Sequence, residues 1–341
     1  MNICNYKKEN KTFIIAEIAQ AHDGSFGILN SMIEAAASCG VDAVKFQVHI
    51  SEAESSQYEK FRIKFSKIDN TRMDYWKRME FSFDQWVYIK NKCENLGVEF
   101  LATPFSNAAV KLLEKLEVNK YKIGSGDIAN TLLLEAISRM RKEVIFSTGL
   151  ADEINIDNAV KFFEKKGIPF SILQCTTSYP TLAKDIHLDK ISFFMEKFNC
   201  PVGLSDHSGK IFPGLAAAAI GASIVELHVT FDKKMFGPDS VASLNFEELK
   251  ILVDGIRYIN EAKSYKIETE DNEKNKLKSI FGKSLAVNKD MKKGETISFE
   301  DLEGKKPMNI GIDAGCWEDV IGKKINKDKM KWDFLKFEDL I

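Results

Sequence analysis

The sequence has no run approaching the roughly 20 apolar residues that a membrane-spanning helix needs. Its longest weakly polar stretch, Phe212 to Val225, is broken by Pro213, Gly214, Gly221 and Ser223. No excess of one charge is present either. The 48 Lys and Arg nearly balance the 50 Asp and Glu, for a net charge of −2. That gives no electrostatic reason to expect nucleic acid or an anionic membrane as a partner. The six cysteines (Cys4, Cys39, Cys93, Cys175, Cys200, Cys316) are scattered, without a CxxC pair. A disulfide framework is therefore not expected, and reduced thiols are. Met1 to Lys11 is polar and lacks the apolar segment of a secretory leader. Together these absences point to the cytoplasm. Histidine is scarce as well, with only His22, His49, His187, His207 and His228.

What is present is ordinary in bulk and informative in detail. A hydrophobic content of 44% beside 29% charged residues is that of a soluble globular protein. The 341 residues suffice for one large domain and a small one. Short apolar runs alternate with amphipathic segments. Strands are expected at Phe13–Ile18, Ala43–Gln47, Glu99–Thr103, Lys120–Ile123, Val144–Ser147, Ser171–Cys175, Val202–Leu204 and Ile224–His228. Helices are expected between and after them, including Ile28–Ser38, Phe83–Leu96, Asn107–Lys115, Asp157–Lys165 and Phe246–Ala262, with Gly40, Gly97 and Gly167 as stops.

Eight such units in about 250 residues predict an α/β fold of the (β/α)8 TIM-barrel type. A doubly wound sheet is the rival, but the first turn, Ala16 to Ser25, is not GxGxxG. The barrel is assigned to residues 1–262. The charged stretch 263–280 reads as a solvated linker, with room for a short helix, and 281–341 as a small strand-rich domain.

In a barrel the residues at strand carboxyl ends converge on one mouth. Here they include Glu17, Lys45, Gln47, Thr103, Lys122, Ser125, Ser147, Thr177, Tyr179, Asp206, His207, His228 and Asp239. Lys45 and Lys122 stand inside otherwise apolar strands, where an ammonium needs a paired acid or a bound anion. With the hydroxyls of Thr103, Ser125 and Ser147 and the Gly124-Ser125-Gly126 backbone, they describe an anion site suited to a small phosphorylated carboxylate. Alternatively each lysine pairs with an acid such as Glu17. His207 and His228, on adjacent strands, suit a divalent metal with open coordination positions. Alternatively both are satisfied by local hydrogen bonds. Asp239 is a candidate third ligand or base, and Asp206 an orienting or capping residue. His22 to Ser25 reads as a turn and N-cap, His187 as a surface residue, and the Trp76 region as a solvated helix or loop face.

In order, Ile14-Ile-Ala-Glu-Ile18, His22-Asp-Gly-Ser25, Val44-Lys-Phe-Gln47, Ala102-Thr-Pro-Phe-Ser106, Tyr121-Lys-Ile-Gly-Ser-Gly126, Ser147-Thr-Gly149, Cys175-Thr176, Tyr179-Pro180, Gly203-Leu-Ser-Asp-His207, Glu226-Leu-His228 and Gly237-Pro-Asp239 resemble the sialic acid synthase family and its relatives that make other nonulosonic acids. The tail, with Lys289 to Glu295 and Gly304-Lys-Lys-Pro307, resembles that family's antifreeze-like (SAF) domain.

The resemblance implies a metal-dependent transferase that condenses phosphoenolpyruvate with an open-chain N-acyl aminosugar, N-acetylmannosamine or a related hexosamine. Water adds at C2 of phosphoenolpyruvate, C3 attacks the aldehyde, and phosphate leaves by C–O cleavage. Lys45, Thr103, Lys122, Ser125 and Ser147 match the phosphoenolpyruvate positions, and His207 and His228 the ligands of Mn2+, or of Co2+ or Mg2+. Glu17 and Asp239 match catalytic positions. Gln47, Thr177, Tyr179, Asp239 and Lys306 match acceptor-sugar positions. A domain-swapped homodimer is implied too, with the tail closing the neighbour's barrel. The chain departs from the family at Ala21, Thr177, Ser240 and Lys306, all on the acceptor side. Other readings of the residues are a synthase of a different 2-keto-3-deoxy sugar acid, a metal-dependent hydrolase, and a non-catalytic sugar-binding barrel.

Overall fold

The computed structural model describes residues 3–63, 65–264 and 272–341. Eight parallel strands close into a barrel in sequence order. They are β1 (Phe13–Glu17), β2 (Ala43–Val48), β3 (Glu99–Pro104), β4 (Lys120–Ile123), β5 (Glu143–Ser147), β6 (Phe170–Cys175), β7 (Val202–Asp206) and β8 (Ile224–His228). β8 pairs with β1, bringing His228 level with Glu17 and so closing the ring. The expected barrel is thus the observed one. Its strands are buried almost throughout, as strands covered on both faces must be.

The alternation along each strand separates two apolar sets. Ile14 and Ala16, Val44 and Phe46, Val225 and Leu227 face the helices, where they join the main core. Phe13, Ile15, Ala43, Leu101, Ile145, Leu173 and Ile224 fill the barrel's interior near the strand starts. Continuing inward by twos toward the carboxyl ends reaches Glu17, Lys45, Gln47, Thr103, Ser147, Cys175, Glu226 and His228. The interior is therefore apolar at one end and polar at the other. A helix at Ile3–Lys8, not anticipated from sequence, adds Ile3 to the apolar end.

Boundaries shift by small amounts. The helix expected from Ile28 begins at Phe26, because Ser25 caps it by accepting the Ile28 N–H at 3.2 Å. The helix expected at Asp157–Lys165 spans Glu153–Lys166, capped by Asp152 and stopped by Gly167 in the left-handed conformation (φ 64°). The last barrel helix runs Phe246–Ser264. One expectation fails. The Trp76 region is not a solvated face: Tyr75, Trp76 and Met79 are buried on the helix Arg72–Met79.

The chain divides into two units, 1–265 and 266–341. In the second, a helix at Asn272–Phe281 lies mostly within the stretch read as linker, and residues 265–271 lie outside the described residues. β9 (Ser284–Val287) pairs antiparallel with β10 (Leu302–Lys305). Leu285, Val287, Met291, Ile297, Ile312, Val320, Ile325 and Leu335 form this unit's own core.

Candidate active site

The polar interior residues line a cavity of about 170 Å³ at the carboxyl end of the barrel. Lys45, Lys122, Glu17 and Glu226 are buried together there. Lys45 Nζ lies 2.7 Å from Glu17 Oε2 and 3.4 Å from Glu226 Oε1. Lys122 Nζ lies 3.6 Å from the same Glu226 oxygen and donates to Ser147 Oγ at 2.6 Å. Thr103 Oγ1 is 3.4 Å from Lys45 Nζ, and Ser205 donates to Glu226 Oε1 at 3.1 Å. The paired-acid alternative is thus realised for Lys45, and Glu226 bridges both lysines. Glu226 Oε2 has no hydrogen-bond partner and remains able to accept one.

The two ammonium groups are not equivalent. Burial disfavours the charge on Lys45, but Glu17 and Glu226 outweigh it and hold its pKa above the ordinary lysine value. For Lys122 burial prevails, helped by the Lys45 charge, and its pKa falls below that value. Burial alone would raise Glu226, yet the two lysines hold it below the usual carboxylate range.

Across the cavity stand the imidazoles, with ring centroids 5.2 Å apart. His207 Nδ1 is 3.0 Å from the Thr176 carbonyl, so Nδ1 carries the proton. That leaves Nε2 as an acceptor, and Tyr179 O–H donates to it at 3.1 Å. Burial, reinforced by His228, pushes the His207 pKa down to about 3, so this ring is neutral. Tyr179 stacks on His207 with 4.2 Å between centroids, and burial raises its phenol pKa.

The remaining expected residues fall around this core. Gln47 donates to Glu17 Oε1 at 3.0 Å. Ser125 and Thr177 share a hydrogen bond of 3.1 Å, and the turn at Gly124–Gly126 lines the cavity. Gly149 presses against this wall: a Cβ there would overlap Thr177 Oγ1 and lie 2.8 Å from Cys175 Sγ. Asp239 Oδ1 accepts from Arg62 at 2.9 Å, and the Arg62 guanidinium sits 4.2 Å from the Tyr179 ring centroid. Asp206 accepts from Ser208 at 2.7 Å and caps no helix, the next one having Ile211 at its N-cap. His187 is exposed, and His22 accepts the Gly24 N–H within its turn. Lys306 belongs to the second unit, where Nζ is 5.0 Å from the Phe281 ring centroid.

Sequence reasoning did not single out Glu226, Ser205 or Arg62 as site residues. The signal for Glu226 was available, since it lies two positions before His228 on β8 and must share its face. Arg62 arises from an irregular connection that offers no such periodicity.

The NeuB family model matches residues 32–268. The N,N'-diacetyllegionaminic acid synthase of Campylobacter jejuni is 35% identical over 324 residues, covering 93% of this chain and 97% of that protein. A pseudaminic acid synthase of Campylobacter jejuni is 32% identical over 344 residues, covering 99% of each. The human N-acetylneuraminate-9-phosphate synthase is 30% identical over 326 residues, covering 93% of this chain and 89% of that protein. Among solved structures, the N-acetylneuraminic acid synthetase of Leptospira borgpetersenii in complex with citrate superposes with a TM-score of 0.69 at 33% identity, over 79% of this chain and 91% of that one. With its family match, these relatives and its barrel, the chain belongs to the NeuB family, the sialic acid synthase family its motifs resemble.

Proposed function

We propose that this chain condenses phosphoenolpyruvate with the open-chain aldehyde of an N-acyl aminosugar, releasing phosphate and a nonulosonic acid. The observation that carries the proposal is one cavity bounded on one side by Lys45, Lys122 and Ser147 and on the other by His207, His228 and Tyr179. The first side suits a phosphorylated carboxylate. The second suits a polarised carbonyl.

Lys122, Ser147, Ser125 and the Gly124–Gly126 turn bind the anionic groups of phosphoenolpyruvate, and Lys45 with Thr103 completes that side. An arriving anion offsets the burial that disfavours the charge on Lys122. Glu17, held between Lys45 and Gln47, lies where charge and protons change as C3 attacks and water adds at C2. Gln47, Tyr179, Thr177 and Asp239 orient the sugar, with Arg62 across Asp239.

The donor set at the imidazoles fits a divalent metal. His207 presents an unprotonated Nε2 toward the cavity it shares with His228. Among the described residues no group of three or more His, Cys, Asp or Glu is placed to hold a metal, so other coordination positions fall to substrate oxygens and water. Mn2+, Co2+ or Mg2+ held by His207 and His228 supplies Lewis acidity toward the aldehyde oxygen when bound. Residues 281–341 are taken as the antifreeze-like domain of a swapped homodimer, contributing Lys306 to the acyl group of the sugar.

The test is phosphate release from phosphoenolpyruvate with each metal and a panel of N-acyl aminosugars, with product identification by mass spectrometry. Release only when such a sugar is present is expected. No release with any sugar refutes the proposal, and release with neutral or phosphorylated aldoses redirects it to another sugar acid.

A further inference from the structure

An ion pair stands at the mouth of the barrel on the side of the imidazoles. Arg62 lies in the connection between the helices Ser51–Glu54 and Arg72–Met79. Phe61 and Phe65, on either side of it, pack against the buried cluster of Tyr75, Trp76 and Met79. Phe65 also meets Phe236, shortly before Asp239 in the chain, with 5.5 Å between ring centroids. Both partners of the Arg62–Asp239 bond are therefore carried on anchored backbone. That sets the pair apart from a loose surface ion pair, which must order two long side chains for its own sake.

The size of the cavity brings the second substrate to this pair. At about 170 Å³ the cavity is smaller than the roughly 300 Å³ at which small-molecule sites begin. Phosphoenolpyruvate takes the end lined by the lysines, so the acceptor extends outward from the imidazoles. Tyr179 borders the cavity there, and the Arg62 guanidinium lies 4.2 Å from its ring centroid. Asp239 borders a smaller space, of about 10 Å³, that shares His228 with the first. A sugar whose aldehyde is held at His207 and His228 thus directs its remaining carbons toward Arg62 and Asp239.

Arg62 Nη2 donates to Asp239 Oδ1 at 2.9 Å. Among the described residues no hydrogen bond engages Arg62 Nη1 or Asp239 Oδ2. The two side chains are 44% and 16% exposed, so both groups can still be reached. The pair offers one donor and one acceptor side by side with no net charge. A hydroxyl both donates and accepts, and matches it. A phosphate monoester carries a charge of about −2 at pH 7 and has only acceptors for this pair. Asp239 repels it and has already engaged the Arg62 charge.

We propose that Arg62 and Asp239 are specificity-determining residues that read hydroxyl groups on the far carbons of the acceptor, and that the sugar taken by this site is unphosphorylated. This rests on the function proposed above and names the acceptor class within it.

Calorimetry with the full chain, phosphoenolpyruvate and Mn2+ tests the inference. The probes are the alditols of N-acetylmannosamine, N-acetylglucosamine and N-acetylgalactosamine, which lack the aldehyde and cannot condense, and the 6-phosphate of each. Wild type should bind at least one neutral alditol about tenfold or more tighter than its phosphate. The two variants should move in opposite directions. Arg62→Ala removes the donor and leaves the carboxylate, so the neutral alditol should weaken about tenfold or more and the phosphate should bind no better. Asp239→Asn frees the guanidinium, so the phosphate should bind about tenfold or more tighter than it does to wild type. A purely structural contact would weaken both probes alike in both variants. The affinity of phosphoenolpyruvate, measured alone, should stay within about threefold in each variant, which checks the fold of the barrel. Binding of no neutral alditol, a wild type that prefers the phosphate, or an Asp239→Asn chain that gains nothing for it overturns the inference. Phosphate release with the parent sugars is measured beside this. The expected binding pattern in a chain that releases no phosphate overturns the function alone, whereas turnover without that pattern overturns this inference alone.

Discussion

Replacing Glu226 by Gln tests the charge arrangement most directly. The substitution keeps the side chain's shape and an oxygen for Ser205 but removes the carboxylate that ion-pairs with both buried lysines. Glu226 Oε1 lies 3.4 Å from Lys45 and 3.6 Å from Lys122. At an effective dielectric constant of about 20, each separation corresponds to about 5 kcal/mol of attraction before desolvation. Removing one partner from a buried ionic set typically costs about 3–5 kcal/mol. In a barrel of this size that lowers Tm on the order of 10 °C. Phosphoenolpyruvate should reverse the effect, because its negative charge stands in for the lost carboxylate. The assay is thermal unfolding of wild type and Glu226→Gln, with and without phosphoenolpyruvate at one concentration. The variant should melt lower without ligand and gain more from it. A variant that melts like wild type, or gains no more from the ligand, refutes the reasoning that Glu226 neutralises the lysines.

Four further outcomes are expected. Lys122→Met should weaken phosphoenolpyruvate binding about 100-fold in calorimetry, since a charged group's hydrogen bonds contribute about 1.5–3 kcal/mol; binding within a few-fold of wild type would take Lys122 out of the anion site. His207→Ala should abolish turnover while phosphoenolpyruvate still binds, and a metal-dependent, wild-type-like rate would remove His207 from the reaction. Gly149→Ala should cut kcat/KM and cost about 1–3 kcal/mol in urea unfolding, because the new Cβ has no room beside Thr177 and Cys175. Acid should destabilise the metal-free chain: His22 and His207 are depressed to about 3 from an ordinary 6.5, so the unfolded state takes up protons first. Their contribution is complete above the unfolded value and is lost as pH falls toward the folded one. At pH 5.5 each costs on the order of 1 kcal/mol, and urea unfolding at pH 7.5 and 5.5 measures the sum.

The barrel was legible because its strands are apolar runs punctuated by helices with strong caps and stops, such as Asp152 and Gly167. Lys45 and Lys122 stood out because an ammonium in such a run demands a reason. Glu226 did not, since a carboxylate between Val225 and Leu227 was read only as part of a motif and not by its face. His49, Arg62 and Trp76 belong to the long β2–β3 connection. There position is set by tertiary contacts, such as the His49–Trp76 stack and the Arg62–Asp239 pair, and not by any repeat in the chain. Lys306 shows the opposite case. Its place beside Pro307 is plain in the sequence, but it lies in a separate unit from the cavity.

The pairing of Glu17 and Glu226 with Lys45 and Lys122 has a kinetic consequence. Two positive and two negative charges cancel, so the ligand-free interior carries little net field beyond a few ångströms. A distant anion is not drawn in and feels the lysines only on entering the cavity. Added salt should therefore change the association rate of phosphoenolpyruvate weakly in the metal-free chain, much less than for an uncompensated basic pocket. Discrimination among anions then rests on how well each replaces the internal carboxylates at contact distance.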